Sequence, residues 1–272
     1  MAAPSHAVEG LLVSDLLDRS AFELVFAHDF TGPLDPDRWI DSYLPHWTTP
    51  ERASARYDLG ADGLRLRIDA DQPEWLPGEG GLRVSNLQTG AFAGPVGSPV
   101  GQMAHRDGLV VRTAVPTTAL WTPSAGLVEA TVRATDDPTC MLAVWLVGFK
   151  DTSERESGEV CAVELYGDAI GPDRSRVRLG IKAHQDPRLR EDVHDVWLDM
   201  DATQEHTYAA EWTPGRSRYY VDDRLVRTID QAPGYPLQLM VDLFEFPPDG
   251  ERDPARYPKT ATVRSVQGYR HR

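Results

Sequence analysis

From about Phe22 to the C-terminus, apolar and polar positions alternate in short runs closed by Gly, Pro, Asp or Asn. No long segment keeps an apolar 3.6-residue period. A period of two is the signature of half-buried strands, so the pattern predicts an all-β protein. The clearest strands are Gly63–Ile68, Gly126–Ala134, Met141–Phe149, Val177–Ala183, Thr207–Trp212, Ser217–Val221, Arg224–Ile229 and Leu237–Phe246. Asp222-Asp223, between two of these runs, predicts a tight hairpin turn. The 21 prolines and 22 glycines are spread along the chain rather than gathered in a linker. That distribution predicts one domain over residues 21–272 behind an N-terminal extension, residues 1–20. Asp71–Thr113 carries little regular pattern and is expected to be a long loop region walling a ligand groove.

Composition narrows the function. With 41% hydrophobic and 26% charged residues among 272, the chain fits a globular fold with a full core. Its formal net charge of −14 opposes nucleic-acid binding, which needs a basic face. No apolar run reaches the roughly 18 residues of a membrane span. Only Cys140 and Cys161 are present, without the spacing of a zinc site, so no metal cofactor is expected. Acidic loops leave room for a structural calcium without specifying its ligands. The opening residues lack the basic start of a signal peptide, which predicts a cytoplasmic chain, or a secreted one if a leader has been removed. A monomer is expected.

The most informative run is Gly158–Gly167, GEVCAVELYG, where Glu159 and Glu164 sit in an otherwise apolar strand. An ionised carboxylate in such a place must be paired, solvated in a cleft or used. Strand side chains alternate, so residues five apart point to opposite faces. A single β-bulge after Cys161 would return Glu164 to the face of Glu159. Their Cα atoms would then lie about 13 Å apart. Inward-leaning side chains could bring the carboxylates to about 5–5.5 Å, the spacing at which one attacks an anomeric carbon and the other protonates the leaving oxygen.

This run resembles the catalytic strand, Glu-x-Asp-x-x-Glu, of glycoside hydrolase family 16, the β-1,3-glucanase, lichenase, agarase and xyloglucan transferase group. Other segments are similar in the same order: Phe26–Trp39, Gly126–Ala134, Met141–Gly148 and His206–Asp222. The resemblance implies a concanavalin A-like jelly roll of two antiparallel sheets with a concave cleft. It places Glu159 on the nucleophile and Glu164 on the acid/base. Cys161 stands where the family has its central aspartate. A thiol is a weak donor, largely neutral at pH 7. Losing a hydrogen bond to a charged group costs about 1.5–3 kcal/mol, roughly 10- to 150-fold in rate.

By the same resemblance Trp145 lines the cleft, with core packing as the alternative. His206 opens the His-x-Tyr-x-x-Glu-Trp strand, where Glu211 and Trp212 read as structural. Aromatic faces suit sugar rings, which makes Tyr43, His46, Trp47, Trp75 and Trp121 candidates for outer subsites, with Asn86 and Gln88 as amide partners. Glu245 marks an altered subsite on a strand near the cleft. The expected activity is a retaining glycoside hydrolase or transglycosylase on β-linked glucan- or galactan-like oligo- or polysaccharide. The alternatives are a lectin-like, non-catalytic glycan binder and an intracellular enzyme retuned to a small glycoside.

Overall fold

The computed structural model describes residues 16–78 and 80–272. Residues 1–15 of the expected extension lie outside them, whereas Leu17 is buried and its N–H donates to the carbonyl of Asp223. The strands are β1 (Phe22–His28), β2 (Arg56–Gly60), β3 (Gly63–Ile68) and β4 (Arg83–Gln88), then the two-residue β5 (Gly90–Ala91) and β6 (Thr118–Ala119). There follow β7 (Gly126–Arg133), β8 (Cys140–Gly148), β9 (Glu159–Tyr166), β10 (Ser175–Lys182) and β11 (Asp192–Leu198). The last five are β12 (His206–Thr213), β13 (Arg216–Val221), β14 (Arg224–Ile229), β15 (Leu237–Glu245) and β16 (Lys259–His271).

Apart from β5 and β6, which pair with each other, they form two antiparallel sheets, a jelly-roll sandwich. One runs β14-β13-β12-β7-β16-β3-β2 with β1 added on β16; the other, of six strands, runs β11-β10-β9-β8-β15-β4. Alternation sends one face of each strand between the sheets. Leu142, Val144 and Leu146 of β8, Val177, Leu179 and Ile181 of β10, and Leu239, Val241 and Leu243 of β15 meet Val128, Tyr208, Tyr219 and Val263 of the other sheet. Asp222 and Asp223, with φ of 47° and 66°, make the expected tight turn between β13 and β14. Two positive φ values match the twist of a two-residue hairpin.

Asp71–Thr113 is less irregular than its sequence implies, because it contains β4, paired with β15. The rest of this region does more than wall a groove. Tyr43, Leu44, Trp47, Trp75, Leu76, Leu109 and Val111 pack on Met141, Ala143, Trp145, Met240 and Phe244, building a second apolar layer on the outer face of the six-stranded sheet. This layer covers β4, β15 and β8. The half formed by β9, β10 and β11 carries the polar side chains described next.

Candidate active site

The cleft chemistry begins with a bulge. On β9, Val163 pairs with Val144 and Cys161 with Trp145, leaving Ala162 as the extra residue; on the other side Glu164 pairs with Arg178 and Cys161 with Gly180. Ala162 and Val163 both join the inter-sheet core, so Glu159, Cys161 and Glu164 share the outer face. One carboxylate oxygen of each glutamate and the thiol sulfur lie within 4.8 Å of one another. All three residues are buried.

Strand β10 lays its alternate residues against this row. Arg178 faces Glu164, Gly180 faces Cys161 and Lys182 faces Glu159, so opposite charges meet across the strands. Lys182 Nζ lies 2.5 Å from Glu164 Oε1 and 3.0 Å from Glu159 Oε1. The second contact lacks hydrogen-bond alignment, and Glu159 Oε1 is left without a bonded donor. His184 Nε2 lies 2.7 Å from the other oxygen of Glu159, and Arg178 Nε 3.6 Å from Glu164 Oε2. The Cys161 thiol lies among the carboxylates and donates to the carbonyl of Arg178, at 3.9 Å. Gly180 has φ of +142°, and a Cβ there would sit 2.3 Å from the Asp192 carbonyl oxygen. Gly180→Ala is expected to cost roughly 1–3 kcal/mol in a urea unfolding titration; an unchanged midpoint would contradict this account of the strand.

Burial alone would raise the Glu159 carboxyl, but the Lys182 ammonium and the His184 ring outweigh it and hold it below the usual carboxylate value. Burial likewise works to lower Lys182, and the glutamate charges reverse the effect and raise it. For Cys161, burial and then the charge of Glu164 push the thiol well above its ordinary range. It is a neutral group here. Lys182 therefore supplies the charge that joins the two glutamates.

Behind them lies Asp242, on the face of β15 shared with Met240 and Phe244. Trp145 Nε1 donates to its Oδ2 at 2.5 Å, while its Oδ1 is buried without a partner. Burial, and to a lesser extent the charges of Glu159 and Glu164, raise its carboxyl well above 3.8 against the pull of the Trp145 bond. A carboxyl raised on folding contributes stability at low pH that is lost as pH climbs past its unfolded value. Asp242→Asn keeps the acceptor for Trp145 and removes the titration. Its melting temperature is expected to exceed that of the native chain at pH 7 by more than at pH 4; a gain that is absent, or larger at pH 4, would refute the assignment.

Of the residues singled out in the sequence, Glu159, Cys161, Glu164 and Trp145 come together here. Asn86 lies nearby, opposite Asp242 on β4, but is fully buried and donates to the Ser42 carbonyl and to Gln88. His46 and Trp47 are also wholly buried, both directed at the Gln102 carbonyl, and burial pushes the imidazole down to about 4. They belong to the packed outer layer rather than to an open subsite. Three others point elsewhere. His206, on the eight-stranded sheet, contacts Asp222 and the Asp201 carbonyl. Trp121 stacks on Phe26, centroids 4.8 Å apart, beside Gly268 of β16. Glu245 has the phase of Leu243 and turns away from the cleft face, where Lys259, Arg83 and Arg252 pair with it and the Tyr257 hydroxyl donates to it.

Residues 122–244, which carry β7 to β14 and nearly all of β15, match the model of the family described as glycosyl hydrolases family 16. The matched stretch is a little under half of the chain and contains both glutamates. Among solved structures, the GlcNAcα1-4Gal-releasing endo-β-galactosidase from Clostridium perfringens superposes with a TM-score of 0.77 at 23% identity, over 98% of this chain. The chain spans 65% of the length of that protein. A laminarinase from Flavobacterium sp. UMI-01 gives 0.63 at 16% identity, covering 91% of this chain and all of its own. The Crh5 transglycosylase gives 0.56 at 15%, covering 93% and 86%. Such identities speak for a shared fold. No curated protein matches by sequence.

Within the matched stretch, the sequence did not single out Lys182, His184, Arg178 or Asp242. The first three had a visible signal: Arg178, Gly180, Lys182 and His184 recur at every second position, so they fall on one face. Which strand they face is set by sheet order, which no local pattern contains. If Lys182 holds Glu159 down, Lys182→Met raises the pH at which Glu159 titrates, read by carboxyl ¹³C NMR in a Glu164→Gln background. An unchanged or lower titration point would show that Lys182 does not set its charge.

Proposed function

We propose that the chain is a retaining glycoside hydrolase or transglycosylase acting on a β-linked glycan by double displacement. The supporting observation is the pair of carboxylates that the bulge brings within 4.8 Å of each other, the short separation associated with a covalent glycosyl intermediate. Glu159 is the nucleophile. Its charge is held by Lys182 and His184, and its Oε1 has no aligned donor, leaving that lone pair for the anomeric carbon. With Lys182 withdrawn, Glu164 acts in its carboxylic-acid form, gives its proton to the departing oxygen, and takes one back from the water or sugar hydroxyl that cleaves the glycosyl ester. A sugar enters between the two only when the Lys182 ammonium swings aside on its flexible stem. The family 16 match and the glucanase, galactosidase and transglycosylase neighbours support a carbohydrate substrate.

The test is release of reducing ends from a panel of β-1,3-glucan, β-1,3/1,4-glucan and β-galactan. Release from at least one polymer, absent in Glu159→Gln, is expected; equal background rates would sink the proposal. The Lys182 bridge also favours a second reading, a lectin-like protein whose cleft binds glycan without cleaving it. Oligosaccharide binding unaltered by Glu164→Gln, with no turnover by the native chain, would select it.

A further inference from the structure

The chain is acidic overall, yet one short stretch reverses the balance. Between Arg174 and Lys182 there are four cationic residues and no acidic one. Val177, Leu179 and Ile181 face the core, so Arg176, Arg178 and Lys182 stand on the cleft face of β10. Lys182 and Arg178 are spent on Glu159, Glu164 and Asp195. Arg176 is held loosely, 3.6 Å from an exposed Asp168, and its buried Nε has no hydrogen-bond partner. Among the described residues Arg174 has no carboxylate within ion-pair distance; its guanidinium lies 5.2 Å over the ring of Trp197.

Trp197 is paired with Arg176 on β11, faces the cleft side, and is 47% exposed. Arg176 in turn lies 5.4 Å over the Tyr166 ring, next to Glu164. Two inter-strand spacings and a two-residue offset put Trp197 about 12 Å from Glu164. That is within reach of an oligosaccharide lying across the two glutamates. An exposed planar ring offers an apolar face to a sugar. Two guanidiniums with unused donors beside it offer charge-assisted hydrogen bonds to an anionic substituent.

We propose that Trp197, Arg174 and Arg176 form a subsite for an anionic sugar, one bearing a sulfate ester or a carboxylate, at the open end of the cleft. This rests on the glycan-binding reading above. On binding, the sugar ring takes the place of the Arg174 guanidinium over Trp197, and the freed guanidinium closes on the anion. A cation held over an exposed ring is a weak contact, so the exchange is cheap.

The test measures binding by calorimetry to Glu159→Gln, which prevents turnover. The probes are tetrasaccharides of a sulfated β-galactan and of a β-linked glucuronan, each beside its neutral counterpart, desulfated or carboxyl-reduced. At least one anionic probe is expected to bind ten-fold or more tightly than its counterpart; which one identifies the anion. Adding Arg174→Gln and Arg176→Gln should abolish that preference while leaving the neutral affinity in place, and Trp197→Ala should weaken both members of the pair. Arg174→Gln alone, at an exposed turn, should reduce the preference without touching the fold. Equal affinities, or a preference that survives both substitutions, would overturn the subsite and leave the proposed function standing. Failure of every probe to bind would overturn both.

Discussion

Glu159→Gln is expected to lower kcat on a susceptible β-glycan by about 10⁴-fold or more, about 5 kcal/mol of transition-state stabilisation. An amide is nearly isosteric but cannot form the glycosyl ester, so the loss appears in kcat for every substrate. Glu164→Gln should behave differently. On the glycan it costs about 10²–10⁴-fold, because the leaving oxygen departs unprotonated. On an aryl β-glycoside with an acidic phenol the first step needs no proton and survives, so a burst of phenol precedes a slow second step. Equal losses for the two variants on both substrates would mean that the roles are not divided between Glu159 and Glu164 as proposed.

The second large effect is at position 161. The thiol is fully buried, raised by burial and by Glu164 into its neutral form, and turned toward the Arg178 carbonyl. Among the described residues its hydrogen bond goes to that carbonyl and not to the carboxylates that flank it. Cys161→Asp returns an acceptor to the middle of the row, where it competes with Glu159 and Glu164 for Lys182. Releasing Lys182 from its bridge opens the gap that a sugar must enter, and a new hydrogen bond to a charged group is worth about 1.5–3 kcal/mol. The expected result is a rise in kcat of roughly 10- to 150-fold. A third carboxylate in a buried row also costs stability, roughly 1–3 kcal/mol. Faster turnover with a lower melting temperature would support the account; lower turnover would show that the thiol is already the better neighbour, and Cys161→Ser should change little.

Much of this site could be read from residues alone, and the reasons it could are physical. Two glutamates five apart in an apolar strand share a face only through a bulge, and the structure contains that bulge at Ala162. The run Gly63–Ile68 alternates because Leu64, Leu66 and Ile68 face the core while Arg65 and Arg67 do not. Strand β4, RVSNLQ, was hidden because Asn86 and Gln88, which read as loop residues, are buried under a second apolar layer, where their amide groups donate to the Ser42 and Gly90 carbonyls. That layer also explains Trp47 and Trp75, which lie in polar, turn-rich sequence yet roof half of the sheet. A pattern that records one core per sheet cannot reveal a roof made of distant loops. Glu245 is a different case. In VDLFEF, Asp242 and Glu245 have opposite phase; Leu243, in the inter-sheet core, puts Glu245 on the inner face and leaves Asp242 on the outer one. The placing of His206 on the other sheet, and of Trp121 against that sheet, depends on strand order, which is non-local.

The central claim is that two carboxylates aligned by one bulge carry out a double displacement. The most direct test is ¹H NMR of the first products released from the β-glycan panel, before the anomers equilibrate. The account predicts that the β-anomer appears first; initial formation of the α-anomer, or no release above the Glu159→Gln background, would contradict it.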